Sequence, residues 1–216
     1  MDIRVGARDS PLSKAQINEV LEALQQGYPE VTFTLILKKT TGDHDQLTSL
    51  RFMDKTNFFT KEIDEMQLRG ECRITIHSAK DLPDPIPTGL KLVALTKGQD
   101  PSDSIVFREG DTLDSLLRGA IVGSSSTRRD HIVHALRSDL QCKEVRGTIE
   151  KRLQKLYDRE FDALIVAEAA LIRLNLTHLN RSIIPGKTAP LQGQLAILAH
   201  TQDKEMEVLF SVLDVR

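Results

Sequence analysis

Six arginines, Arg8, Arg128, Arg129, Arg146, Arg152 and Arg173, stand at or just after the carboxyl ends of segments that read as β-strands. A further strand end, Ile76-His77-Ser78-Ala79-Lys80-Asp81-Leu82-Pro83, gathers an imidazole, a hydroxyl, an ammonium and a carboxylate ahead of a proline-rich loop. Guanidinium groups bind carboxylates through paired N–H donors, so the arginines suit a ligand that carries several carboxylates. A carboxylate surrounded by such cations stays ionised. Asp81, with Lys80 beside it, is then the candidate for chemistry: it could stabilise a developing cation or direct an N–H group of the substrate. Most surface arginines are merely solvated. Here they recur at equivalent edges of both halves of a chain whose net charge is only −2. His77 reads instead as a packed strand-end histidine, and Cys72 and Cys142 as small core residues.

Composition narrows the class. With 40% apolar and 28% charged residues the chain matches a globular protein, and 216 residues allow one large domain or two small ones. Aromatic residues make up 4% and tryptophan is absent, which leaves little for stacking on nucleic acid. The net charge argues against a general polyanion surface. No signal peptide or membrane span is evident. Cys72 and Cys142 lack metal or redox spacing, so a reducing, cytoplasmic setting is expected. The expected partner is a small molecule, not nucleic acid or a membrane, and the expected state is a monomer.

The elements that must position these residues alternate. Ile3, Val5 and Ala7 mark a strand; Ser10 suits a helix N-cap and Pro11 a first helical position. Arg8 therefore falls in a strand-to-helix turn that favours anions. A strand over residues 31–37, an aperiodic loop over 44–57, a helix through Phe59, Ile63 and Met66, and strands at 73–76 and 90–95 follow. Past the polar stretch 97–103 the alternation restarts, with a strand at 104–107, a helix near 111–117 and a strand at 120–122. Gly123-Ser124-Ser125-Ser126 then opens a helix that carries Arg128 and Arg129 in its first turn. Serine hydroxyls and backbone N–H groups there suit a carboxylate or phosphate. Two cations at a helix N-terminus oppose its dipole, a conflict that an anionic ligand would resolve. A strand ending at Val145, a helix bearing Arg152, a buried strand at 163–167, a short helix ending at Arg173, a crossing at 185–190, a strand at 195–199 and a last helix complete the pattern. The fold expected is α/β: two doubly wound, mostly parallel-sheet domains, periplasmic-binding-protein-like, joined by two crossings with a cleft between. Residues 1–97 plus 191–216 form the first domain, which carries Asp81, and residues 98–190 the second, which carries most of the arginines.

Seven segments, GARDSPLSKAQ (6–16), FFTKEI (58–63), IHSAKDLP (76–83), DPSDSIV (100–106), VGSSSTRR (122–129), VRGTIEKRL (145–153) and FDALIVAEAALIRL (161–174), run in one order along most of the chain. In them the chain resembles porphobilinogen deaminase, or hydroxymethylbilane synthase, a transferase of porphyrin and heme biosynthesis. The resemblance implies that four porphobilinogen units are joined head to tail, each losing ammonia, on a dipyrromethane primer, to give hydroxymethylbilane. It implies that deamination yields an azafulvenium cation attacked by a pyrrole carbon. It also implies that Asp81 is the catalytic acid group, with Lys80 and Ser78 at neighbouring site positions. The carboxylate-binding arginines of the family fall on Arg8, Arg128, Arg129, Arg146, Arg152 and Arg173, and its hydroxyl contacts on Ser10, Ser125 and Ser126.

Three departures accompany the likeness. The family's usual third domain, which bears the cysteine that anchors dipyrromethane, has no counterpart here, so a short form is expected. Neither Cys72 nor Cys142 matches the anchoring position, and the attachment residue is unassigned. A lysine-glycine run of the family reads Asp54-Lys55-Thr56-Asn57, and a glycine-glutamine-glycine motif reads Gln192-Gly193-Gln194. A rival class stays open: a catalytically silent binding protein for a pyrrole carboxylate or another small polyanion.

Overall fold

The computed structural model of the chain describes residues 1–45, 48, 49, 51 and 56–216. The Asp54-Lys55 stretch, and with it much of the aperiodic loop, lies outside the described residues. Two compact units emerge, one comprising Met1–Asp45, Lys55–Gln99 and Pro190–Arg216, the other Gln46–Asp54 and Asp100–Ala189.

The first unit opens with strand β1 (Asp2–Arg8), in which Ile3, Val5 and Ala7 are fully buried. Helix α1 (Pro11–Gln25) starts at once because Ser10 caps it. Its hydroxyl accepts the Ser13 N–H at 3.1 Å, and Pro11 has no N–H to leave unpaired. Ser13, Gln16, Ile17, Val20 and Leu24 return at helical spacing to form its buried face. Strand β2 (Thr32–Lys38), the one-turn helix α2 (Thr41–His44), helix α3 (Lys61–Leu68), strand β3 (Ile74–Ser78), a 3-10 turn at Ala79–Asp81 and strand β4 (Leu90–Leu95) follow. The second unit contains β5 (Asp103–Phe107), β6 (Ile121–Ser124), α4 (Thr127–Leu136), β7 (Gln141–Glu144), α5 (Ile149–Tyr157), β8 (Ala163–Ala167), α6 (Glu168–Arg173) and β9 (Arg181–Ile184). The chain then returns to the first unit as β10 (Leu195–His200) and α7 (Lys204–Phe210).

Each unit is one five-stranded sheet, in the order β2-β1-β3-β10-β4 and β7-β6-β8-β5-β9 respectively. All strands of a sheet run the same way except the fourth, β10 or β5, which is antiparallel to both of its neighbours. In each case the odd strand is the one that arrives from the other unit. Asp103, which opens β5, pairs with Ala167, the last residue of β8; Leu195, which opens β10, pairs with Ser78, the last residue of β3. Each crossing therefore delivers its strand at the carboxyl edge of the sheet, and that strand must run back against the rest.

Both faces of each sheet are covered, which accounts for the contiguous apolar runs. In the first unit α1 and α7 pack on one face with Ile74, Ile76 and Ile197, while α3 brings Ile63 and Met66 against Cys72 on the other. In the second, alternate residues of β8 divide the two cores: Ala163 and Ile165 face the core that includes Val133 of α4, Leu164 and Val166 the core that includes Leu153 of α5. Among the described residues no helix is long and apolar enough to cross a membrane.

Two elements depart from the sequence expectation. Residues 111–117 form turns, not a helix. Thr112 and Ser115 exchange side-chain-to-backbone hydrogen bonds at 2.8 and 3.2 Å, and Arg137 Nη1 occupies the carbonyls of Leu113 and Leu116 at 2.6 and 3.0 Å. Such local bonds compete with helix, and one turn is too short to nucleate. Conversely β9 is a strand that no periodicity announced, an edge strand with the burial of its four residues confined to Ile184 and, in part, Arg181.

Candidate functional site

In the first unit the predicted residues gather where β1 and β3 end. Strand β3 is buried from Ile74 to His77, and the 3-10 turn that follows is pinned by Ala79, which packs with Leu95 and Ala196. The Ala79 N–H donates to the Gln194 carbonyl at 3.0 Å, and the Leu82 N–H to Ala79 at 3.3 Å. Lys80 and Asp81 thus stand on a short, fixed turn. Lys80 Nζ donates to Gln192 Oε1 at 3.2 Å, and Ser78 Oγ accepts from Gln16 Nε2 at 2.8 Å. The Asp81 carboxylate is half-buried, and among the described residues nothing bonds to it. His77 projects to the opposite face of β3 from Ser78, toward α3, with Nε2 3.1 Å from Asp64 Oδ1; both side chains are buried. It is a packed residue, as its position suggested.

Arg8, at the end of β1, is engaged within the unit. Its guanidinium pairs with Asp43 through Nη2 and, at 3.4 Å, through Nε, and lies 4.6 Å from the Phe59 ring centroid. Asp43 also accepts the Thr40 N–H and hydroxyl, each at 2.9 Å. Burial by itself raises the pKa of Asp43. Arg8 and Thr40 together outweigh it and hold the carboxyl below its ordinary 3.8. The Ser10 hydroxyl is spent on capping α1.

In the second unit β6 ends at Ser124, and Ser125 and Ser126 turn the chain into α4. Ser125 Oγ donates to the Val145 carbonyl, and the Ser126 N–H reaches Ser124 Oγ at 3.4 Å. Arg128 and Arg129 occupy the first turn of α4, and the conflict with the helix dipole has an internal answer. Asp103 lies against both: Arg129 Nε and Nη2 donate to its Oδ1 at 3.0 and 2.6 Å, and Arg128 Nη2 is 2.7 Å from its Oδ2. A carboxylate of the chain itself therefore lies against the two cations whose position led the sequence reading to expect an external anion. Burial would raise the Asp103 pKa, but the charges and hydrogen bonds of Arg129 and then Arg128 prevail and keep it below the ordinary value.

Arg146 follows β7 and is buried; its Nη1 donates to the Thr48 carbonyl. Gly147 turns the chain with φ +105°, a conformation glycine tolerates, and Thr148 caps α5. In that helix Arg152 Nε donates to the Gly147 carbonyl at 2.8 Å, and Arg173 is the last residue of α6. The structure thus brings Arg8, Ser10, Ser78, Lys80 and Asp81 to one edge in the first unit, and Ser125, Ser126, Arg128, Arg129 and Arg146 to the corresponding edge in the second. Asp43, Asp103, Gln16 and Gln192 were missed. The last three are buried in the fold, a fact that their places in the sequence did not announce.

Comparison with known proteins bears on this arrangement. The family model described as porphobilinogen deaminase, dipyrromethane cofactor binding domain, matches residues 3–208. The chain belongs to the porphobilinogen deaminase family. It is 36% identical over 209 residues to a probable porphobilinogen deaminase of Chlamydia pneumoniae, an alignment covering 97% of this chain and 88% of that protein. It is also 36% identical to the porphobilinogen deaminase of Clostridioides difficile, with 99% and 72% covered. Among solved structures the likeness is one of fold alone. The probable amino-acid extracellular-binding protein YtmK of Bacillus subtilis gives a TM-score of 0.55 at 11% identity over 99% of this chain and 90% of that one. A reduced OxyR of N. meningitidis gives 0.55 at 13% identity over 98% and 93%. The periplasmic-binding-protein-like architecture expected from the sequence is therefore present.

Dipyrromethane is the cofactor of this family model. The groups at the two sheet edges, guanidiniums in the second unit and the Asp81 carboxylate in the first, are of the chemical kinds that pair with carboxylates and with N–H donors. Neither cysteine suits covalent anchorage. Burial pushes both thiols up to about 11, with Cys72 packed against Gly6 and Met66 and Cys142 facing the Asp130 carbonyl from 4.0 Å.

Proposed function

We propose that the chain acts as a hydroxymethylbilane synthase through the Asp81 carboxylate, with Lys80 beside it, while Arg128, Arg146, Arg152 and Arg173 hold the acidic side chains of the pyrroles. The chain is a transferase that joins porphobilinogen units with loss of ammonia. Departure of the amine breaks a C–N bond and takes the electron pair with it, leaving positive charge on a methylene carbon conjugated to a pyrrole nitrogen. A carboxylate next to that N–H stabilises the charge as it develops. The bond to the next pyrrole carbon then forms, and the proton displaced from that ring needs an acceptor, which Asp81 can be. Dipyrromethane, when bound, supplies the pyrrole end from which the chain grows.

The observation that carries this reading is the state of Asp81: ionisable, half-buried, on a pinned turn, and bonded to no described residue. The serines Ser78, Ser125 and Ser126 contribute hydroxyls near the same edges, while Ser10 and Arg8 support the local structure. Two free cysteines accord with a cytoplasmic setting.

The test is ammonia release and uroporphyrin formation from porphobilinogen by Asp81→Asn and Asp81→Ala. Removal of one preorganised charge-stabilising group is expected to lower turnover by about 10²–10³-fold, with the urea midpoint unchanged. Turnover near that of the unaltered protein would take Asp81 out of the mechanism. Failure of the unaltered protein to form product, even with preformed dipyrromethane, would leave the silent binding protein as the better reading.

A further inference from the structure

Asp103 opens a strand in which every residue is buried, and its side chain is 1% exposed. A carboxylate so deep needs partners, and two guanidiniums supply them unequally. Arg129 directs Nε and Nη2 at a single oxygen, at 3.0 and 2.6 Å, and its side chain is 9% exposed. Arg128 places only Nη2 by the other oxygen, an ion pair at 2.7 Å, donates Nη1 to the Lys187 carbonyl at 2.8 Å, and is 26% exposed. Its Nε–H makes no hydrogen bond to a described residue. Two fixed points on different nitrogens set the plane of the Arg128 fork. Two guanidiniums and one carboxylate also leave one net positive charge, and the more exposed partner is Arg128.

We propose that Asp103 is a positioning residue that divides the adjacent arginines into two jobs: Arg129 is its buried counter-ion, and Arg128 is the guanidinium presented to a carboxylate of a pyrrole side chain. The proposal rests on the reading above that arginines of this edge hold pyrrole carboxylates. Loss of the Asp103 charge leaves Arg129 buried without a counter-ion and Arg128 with a single anchor, free to swing. The geometry thus makes affinity for the acidic substrate depend on an acid that the substrate does not touch.

The experiment is a double-mutant cycle on the full chain, reading KM and kcat for porphobilinogen together with the urea midpoint. Arg128→Leu is expected to raise KM about tenfold or more. Asp103→Asn is expected to raise KM by a comparable factor, and adding it to Arg128→Leu is expected to change KM by less than threefold, because both act through one guanidinium. A lowered urea midpoint with KM unchanged in Asp103→Asn would make Asp103 merely structural and overturn the proposal. So would full additivity in the double variant. An unchanged KM in Arg128→Leu would instead refute the carboxylate-holding role of Arg128, and the proposal with it. Should Asp103→Asn fail to fold, Asp103→Glu keeps the counter-ion and moves it by one methylene. That variant is expected to fold and to raise KM at least threefold, and an unchanged KM there overturns the proposal as well.

Discussion

Replacing Gln67 by leucine isolates how the strand that carries Asp81 is held. Gln67 sits on the buried face of α3, 4% exposed, and its amide joins three places. Nε2 donates to the Leu198 carbonyl at 2.9 Å and to the Arg73 carbonyl at 3.0 Å, while Oε1 accepts the Thr75 hydroxyl at 3.0 Å. Leu198 lies opposite the irregularity of β4, where Val93 is skipped between Ala94, which pairs with Ile197, and Leu92, which pairs with Leu198. Gln67→Leu strands the Leu198 carbonyl and the Thr75 hydroxyl, both buried, at about 1–3 kcal/mol each. The Arg73 carbonyl is only partly buried and can turn to water. Allowing for the apolar area that leucine itself buries, the net loss is about 3 kcal/mol, a large share of the ~5–15 kcal/mol that holds a native fold. Urea denaturation followed by far-ultraviolet circular dichroism measures it as a lower midpoint at unchanged slope. Adding Thr75→Val removes one of the two stranded groups and should recover about 1 kcal/mol. A loss below about 1 kcal/mol, or a further fall on adding Thr75→Val, would refute this account of the seam between α3 and β3.

Two further outcomes follow from the titrating groups. Asp43 has a depressed carboxyl in the fold, so its pairing with Arg8 stabilises fully above the ordinary 3.8 and is lost as pH falls through the lower folded value. The midpoint difference between the unaltered protein and Asp43→Asn should therefore be largest at pH 6 and shrink toward pH 3; a constant difference would count against the pairing. Cys72 and Cys142, with thiols near pKa 11, should be alkylated by iodoacetamide at pH 7.5 far more slowly in the native protein than in urea, as intact mass would show. Rapid native modification of either would reopen it as a cofactor anchor.

The elements that sequence alone located were those buried on both faces or sharply punctuated. The strand at 163–167 is a continuous apolar run, that at 90–95 is apolar but for Lys91, and Ser10-Pro11 announces a helix start whatever surrounds it. What failed was short and locally bonded: residues 111–117 carry helical spacing but close on themselves through Thr112 and Ser115. Strand β9 failed for the opposite reason, since Ser182 and Ile183 on an edge face solvent and show no alternation. At the candidate site Arg8 and Arg146 were legible because strand ends are legible, whereas Arg152 lies within α5 and Arg173 ends α6. The partners of Arg8 and Arg129 were not legible, because Asp43 and Asp103 lie 35 and 26 residues away and meet them only in the fold. An aspartate heading a strand that is buried throughout nevertheless requires a counter-ion, and Asp103 has two.

The placement of β10 sets an order for synthesis on the ribosome. That strand lies between β3 and β4, and Leu195 to Ala199 are wholly buried there, yet it is translated after the whole of the second unit. Until it emerges, β3 and β4 present open edges of the kind that invite pairing with other chains. The second unit needs nothing from beyond Ala189 for its own sheet and can close first. The arginine-bearing half can thus close before β10 emerges, and the strand that presents Asp81 is locked in only afterwards.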